Sequence, residues 1–77
     1  MKEKIAQILG EINSFKAESK EALENFRVAY ISKKGVIPAL FADFKQVAPE
    51  LRKELGIKLN ELKNRAQEVF DEQMQQF

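Results

Sequence analysis

Apolar residues recur at three- and four-residue intervals along most of the chain. Ile5, Ile8, Leu9, Ile12 and Phe15 predict a first amphipathic helix over residues 2 to 16. Ala17-Glu18-Ser19 interrupts the pattern, with Ser19 placed as the N-cap of a second helix and Glu21 in its first turn. Leu23, Phe26 and Tyr30 mark the buried stripe of that second helix. Gly35 is expected to end it in the left-handed conformation, with Lys33 and Lys34 on the negative end of its dipole. Ile37, Leu40, Phe41 and Phe44 then predict a short third helix, in which Pro38 is tolerated because first-turn amides have no intrahelical partner. Ala48-Pro49 stops it, and Pro49 opens a fourth.

The fourth helix carries the longest periodic run, Leu51, Leu55, Leu59, Leu62, Ala66, Val69 and Gln73, close to a coiled-coil seam. Short connections favour antiparallel neighbours. The expected fold is all-α: an antiparallel helical hairpin or coiled-coil arm, the second helix against the fourth, with a short tip helix and an additional N-terminal helix alongside. Phe70 and Met74 keep the period up to Phe77 with no stop signal, so the 77 residues are expected to form a single helical arm, the N-terminal fragment of a longer subunit.

Composition narrows the chemistry. At 44% hydrophobic and 32% charged residues, with three glycines and two prolines, the chain has the make-up of a soluble helical domain. It has no cysteine and no histidine, which removes disulfides, thiolate metal sites and the usual neutral-pH acid–base group. Asp71 and Glu72 are adjacent, and adjacent helical residues diverge by about 100° and cannot share a proton or a metal from one face. The glycines are isolated, and no serine has a histidine to activate it. No catalytic residue, metal site or cofactor is expected in this segment. Val36 to Ala42, the longest apolar run, contains Pro38 and is far shorter than the roughly 20 residues of a membrane span. The N-terminus mixes acids and bases unlike a signal peptide, so a cytoplasmic location without membrane contact is expected.

Charge is uneven along the chain. Residues 1–32 carry five bases and five acids, residues 33–65 eight and four, and residues 66–77 none and three. A polyanionic partner would therefore meet the middle of the chain. On the fourth helix, Glu54, Lys58, Glu61, Arg65 and Glu68 alternate in sign as a solvated ladder of weak ion pairs. Across the seam, Arg52, Gly56, Asn60, Lys63 and Gln67 form a stripe without an acid, able to receive something negative. Gly56 costs about 1 kcal/mol relative to alanine in a helix interior, which suggests close approach of another backbone, from the first or third helix or from a phosphate chain. Asn60 beside it can bond a neighbouring loop or a ligand. Phe15, Phe26, Phe41, Phe44 and Tyr30 lie on apolar stripes and are expected in the core, so any nucleic-acid contact falls on phosphates and sugars.

The order of Arg27, Tyr30, Lys33-Lys34-Gly35, a short apolar helix, Pro49, and then Gly56, Asn60 and Lys63 resembles the N-terminal region of bacterial phenylalanine-tRNA ligase alpha subunits over residues 20 to 70. One departure is that the family usually has Leu-Gly before Lys-Lys-Gly, where this chain has Ile31-Ser32. The resemblance implies a parent class II α2β2 synthetase whose catalytic domain handles ATP, magnesium and phenylalanine. It also implies that this arm leans on the outer corner of tRNA-Phe, and that the beta subunit is a partner of the parent.

Folded RNA offers phosphates and 2′-hydroxyls to a basic helical arm. The candidate tRNA-binding residues are Lys33, Lys34, Arg52, Lys53 and Lys63, with Arg27 and Lys45 as secondary candidates; Lys58 and Arg65 are set aside because acids engage them. The rival reading is a helical protein–protein interaction module that dimerises or docks a partner through the fourth helix, exposing Phe70, Met74 and Phe77. A related arm such as that of the seryl enzyme fits less well, because those arms are longer and lack the Lys-Lys-Gly-helix tip.

Overall fold

The computed structural model describes residues 2–77. It contains α1 (Lys2–Ser14), α2 (Lys20–Phe26), a π-helical continuation of α2 (Arg27–Ile31), α3 (Val36–Phe44) and α4 (Pro49–Met74). The protein is all-α, and none of the described helices is long and apolar enough to cross a membrane.

Helix starts obey the expected chemistry. Ser19 caps α2, its Oγ accepting from the Ala22 amide at 3.0 Å. Pro49 opens α4 behind Ala48, where its missing N–H removes no bond. The first helix is shorter than its periodicity suggests and ends at Ser14, because the next backbone groups bond elsewhere. The Gln73 amide accepts from the Ala17 N–H at 2.6 Å and donates to the Phe15 carbonyl at 2.8 Å. A polar residue at the end of the α4 seam thus satisfies the α1–α2 loop.

All other elements pack on α4. Its buried stripe is Leu55, Leu59, Leu62, Ala66 and Val69, shared with Ile5, Ile8 and Ile12 of α1, Phe26 of α2, and Ile37 and Leu40 of α3. Leu51 falls outside this stripe and is 47% exposed, although it keeps the seam's spacing. Lys2 pairs with Glu54 at 2.7 Å and Arg65 donates to the Asn13 side chain at 2.6 Å. Both pairs are 52 positions apart, so α1 runs parallel to α4. The charged ladder is therefore partly the flank on which α1 sits, and not only open surface.

α2 and α3 run the other way, one after the other. Ala17 lies beside Gln73, Ile31 and Ile37 beside Lys63, Asn64 and Gln67, and Phe44 beside Gly56. This is consistent with the expected hairpin, but the chain reverses at residues 45–48 and not at Lys33-Lys34. α3 continues the direction of α2, which sets the lysine turn alongside the middle of α4. The result is elongated, with extents of 43 × 20 × 16 Å.

Gly35 corrects a second expectation. Its φ is −79°, and the described glycines include none with positive φ. It is the N-cap of α3, not a left-handed C-cap, and the helix before it ends at Ile31, so the lysines stand beyond the last turn. The glycine is required by crowding: a Cβ would come within 2.8 Å of the Tyr30 carbonyl carbon and 3.0 Å of the Ser32 oxygen. Gly56 differs. A Cβ there would meet only the tip of the Phe44 ring, at 3.3 Å, so the close neighbour is a side chain of α3 and not a backbone.

The two glycines should respond oppositely to alanine. Gly35→Ala must displace backbone and is expected to destabilise by about 1–3 kcal/mol. Gly56→Ala removes a helix-interior glycine at the cost of a small ring shift, and should stabilise by up to about 1 kcal/mol. Urea melts of both variants check the pair; equal signs would show that the contacts around one glycine are misassigned.

Candidate nucleic-acid interface

The end of α2 shapes the lysine turn. The Ser32 N–H bonds the Arg27 carbonyl at 2.9 Å, a five-residue closure that widens the last turn. Ser32 Oγ donates to the Val28 carbonyl at 2.7 Å, and the Ser32 carbonyl accepts from the Gly35 N–H at 2.7 Å. Ser32 has φ −64° and ψ 166°, an ordinary extended conformation, so the position does not require a glycine. Its hydroxyl instead occupies one of the carbonyls that a helix end leaves unpaired. Lys33 and Lys34 are thereby held exposed on a turn whose own backbone is tied.

Beside the turn, α3 and α4 enclose an open groove of about 510 Å³. Its apolar wall is Ile31, Ile37, Pro38, Phe41 and Ala42; its polar rim is Lys45, Lys63, Asn64 and Gln67. No acid lines it. Ile31 and Ile37 flank the lysine turn in sequence, so the turn and the groove share one region of the molecule. Lys45 and Lys63 line its rim, whereas Lys33 and Lys34 are outside the lining, on the turn between Ile31 and Ile37. Asp71, one turn beyond the rim, accepts from Gln67 Nε2 at 3.0 Å.

The remaining candidates lie elsewhere. Arg52 donates through Nε to the Val47 carbonyl at 3.1 Å and through Nη2 to the Lys45 carbonyl at 2.8 Å. The acid-free stripe thus receives something negative from within the protein, the carbonyls that come after α3. Asn60 donates to the Gly56 carbonyl at 3.0 Å, back along its own helix. Lys53 is exposed near the start of α4, away from the groove lining. Arg27 pairs with Glu24 one turn earlier, and this bond holds the Glu24 carboxyl below the usual carboxylate range. None of Lys33, Lys34, Lys45, Lys53 and Lys63 forms an ion pair with another described residue; Arg65 pairs with Glu68 as expected, but Lys58, expected to be engaged by acids, forms none either.

Tyr30 anchors the turn from below. Its ring lies 5.0 Å from that of Phe26, which stacks on Phe15 at 4.4 Å, and its hydroxyl donates to Glu11 at 2.8 Å. This fits the expected core role with a wet polar tip. Among the described residues no group of three or more Asp or Glu side chains could hold a metal ion.

Residues 18–77 match the family described as the N-terminal domain of class II aminoacyl-tRNA synthetases. The chain belongs to that family. It is 51% identical over 74 residues, 96% of its length, to the phenylalanine–tRNA ligase alpha subunit of Bacteroides fragilis. Over 84% of its length it is 55% identical to the alpha subunit of Phocaeicola vulgatus, and over 88% it is 52% identical to that of Porphyromonas gingivalis. It spans 22%, 19% and 20% of those relatives' own lengths, so the alignment speaks for the N-terminal region of an alpha subunit. No solved structure matches the chain.

The sequence stripe found Lys63, but not the groove beside it. The groove is lined by residues of separate elements, Ile31 to Lys45 on one side and Lys63 to Gln67 of α4 on the other, and no spacing within one helix encodes that.

Burial, and next the Glu11 carboxylate, raise the Tyr30 pKa above its ordinary value. A raised folded pKa means the fold favours the neutral phenol, so this contribution is complete below about pH 10 and is lost as pH rises through the folded pKa. Because the chain has one tyrosine, an ultraviolet titration reads it directly. The midpoint should lie above that of the unfolded chain and drop in Glu11→Gln; an unchanged midpoint in that variant would remove the contact.

Proposed function

We propose that this chain is the N-terminal tRNA-binding arm of a phenylalanine-tRNA ligase alpha subunit, positioning tRNA-Phe through phosphate and 2′-hydroxyl contacts for aminoacylation by the parent enzyme. The observation that carries the reading is a groove with no acid in its lining, rimmed by Lys45 and Lys63, with Lys33 and Lys34 on the adjoining turn and none of the four in an ion pair with another described residue. Opposite it, Glu54 and Arg65 are occupied by α1. A helical element with unpaired lysines on and next to one groove suits a folded RNA, whose phosphates are closely spaced and whose shape is read without base edges.

Within this reading the roles divide. Lys33 and Lys34 meet phosphates from the turn, Lys63 and Lys45 from the groove rim, and Lys53 from the start of α4. Arg52 acts mainly by holding the α3–α4 reversal. The arm is non-catalytic; ATP, magnesium and phenylalanine belong to the parent's catalytic domain, in a cytoplasmic α2β2 assembly with the beta subunit.

Five such phosphate contacts give a slope of log affinity against log salt of roughly −3.5 to −4.5. Lys33→Glu with Lys34→Glu should weaken tRNA-Phe binding by the assembled ligase at least about tenfold, leaving ATP-dependent phenylalanine activation intact. Unchanged tRNA affinity would remove the turn from the interface. Glu61→Ala, on the α1 side, should leave affinity within about twofold.

One observation favours a second reading, a helical module that dimerises or docks a protein: Met74 at the end of α4 and Phe77 beyond it are exposed, although Phe70, expected with them, is half-buried against the core. Sedimentation at several concentrations beside a tRNA titration separates them, since a dimer without RNA binding supports the module.

A further inference from the structure

The groove between α3 and α4 is more than a row of phosphate ligands needs. Phosphates are met by cations on an open surface, as Lys33 and Lys34 stand. Here two lysines edge a recess of about 510 Å³ whose opposite wall is carbon: Pro38, Phe41 and Ala42. That volume falls within the roughly 300–1,000 Å³ of recesses that hold a small organic group. An apolar wall facing two unpaired cations, with no acid in the lining, selects a ligand that is flat or apolar on one side and anionic on the other.

We propose that this groove receives one unstacked nucleotide of the bound RNA, its base against Pro38 and Phe41 and its flanking phosphates on Lys45 and Lys63. The inference rests on the reading that the arm binds tRNA, and extends it from backbone contact to a base-holding subsite. Nucleic-acid surfaces that take unpaired bases combine a basic track with an apolar or aromatic platform, and such stacking tolerates any base because every base has a π-face. Asn64 adds an amide on the rim that has no partner among the described hydrogen bonds, while the nearby Asn60 amide is spent on its own helix. The Asn64 amide can donate to and accept from a base edge. The aromatic residues expected to be wholly core are thus divided. Phe26 is buried, but Phe41 is half-buried and turns part of its surface to the groove.

The test fills the recess without touching a lysine. Ala42 and Asn64 are both exposed helical positions, one on each wall, so Ala42→Leu and Asn64→Leu leave the core intact. Circular dichroism melts identify any variant that fails to fold, in which case the other decides. Binding of tRNA-Phe is titrated at several salt concentrations for the native protein, both fillings and Lys63→Ala. Each filling should weaken binding about tenfold with the salt slope unchanged, because it removes stacking and not a charge. Lys63→Ala should weaken binding and also flatten the slope by about 0.7 to 0.9. Native-like affinity in a folded filling variant overturns the base-holding subsite and leaves the tRNA arm standing. Absence of tRNA binding by the native protein overturns both, so the two failures are distinct.

Discussion

The apolar stripe of α4 is the constraint on which the rest depends. Leu55, Leu59, Leu62, Ala66 and Val69 recur at four and three residues, so they stay on one side of a 26-residue helix. A chain this short has one core at most, and the stripe is where it forms. Because the stripe is narrow and long, partners must lie beside it lengthwise, α1 along one flank and α2 and then α3 along the other. The elongated shape results from that geometry. Ile12, Leu59, Leu62 and Ala66 lose all solvent contact, which makes this middle section the least tolerant of change.

Two flanks with different occupants produce two electrostatic surfaces. α1 brings Lys2 and Asn13 to the ladder side, where Glu54 and Arg65 find partners across the helix gap, and Lys2 holds the Glu54 carboxyl below its ordinary range. α3 is uncharged except for Asp43; its Phe44 ring meets Gly56, and the carbonyls that come after it meet Arg52. It therefore leaves the cations beside it unneutralised. The basic region is thus a by-product of which helix was laid on which flank. The Ser32 and Gly35 hydrogen bonds add a second requirement, because they keep a turn carrying adjacent lysines narrow despite the repulsion between them.

Helices and their starts were legible because each rests on a local rule. Ser19 caps through its own side chain, Pro49 begins a helix because it lacks an N–H, and three- and four-residue spacing selects the face. The candidate site was legible only in part. Periodicity places Lys63 on the stripe that borders the groove, and the Lys33-Lys34 turn is visible in the sequence as two lysines before a glycine. Gly35 was assigned the commonest use of a glycine after a helix, when close contact with the Tyr30 and Ser32 backbone is what demands it. Arg52 looked like a free cation because the carbonyls it bonds lie on the preceding turn, and acceptors of that kind leave no mark in side-chain patterns.

By itself the sequence determined an all-helical chain, its element starts, the α4 stripe from Leu55 to Val69, and the concentration of bases in the middle of the chain. These are properties of neighbours within one or two turns, where chain geometry is fixed by the backbone. Tertiary structure alone decided that α1 runs parallel to α4, that the reversal falls at residues 45–48, and that an apolar groove opens beside Lys45 and Lys63. Those outcomes depend on how separate helices share one narrow stripe. No single helix carries that information, because an apolar face specifies that it must be covered and not by which neighbour or in which direction.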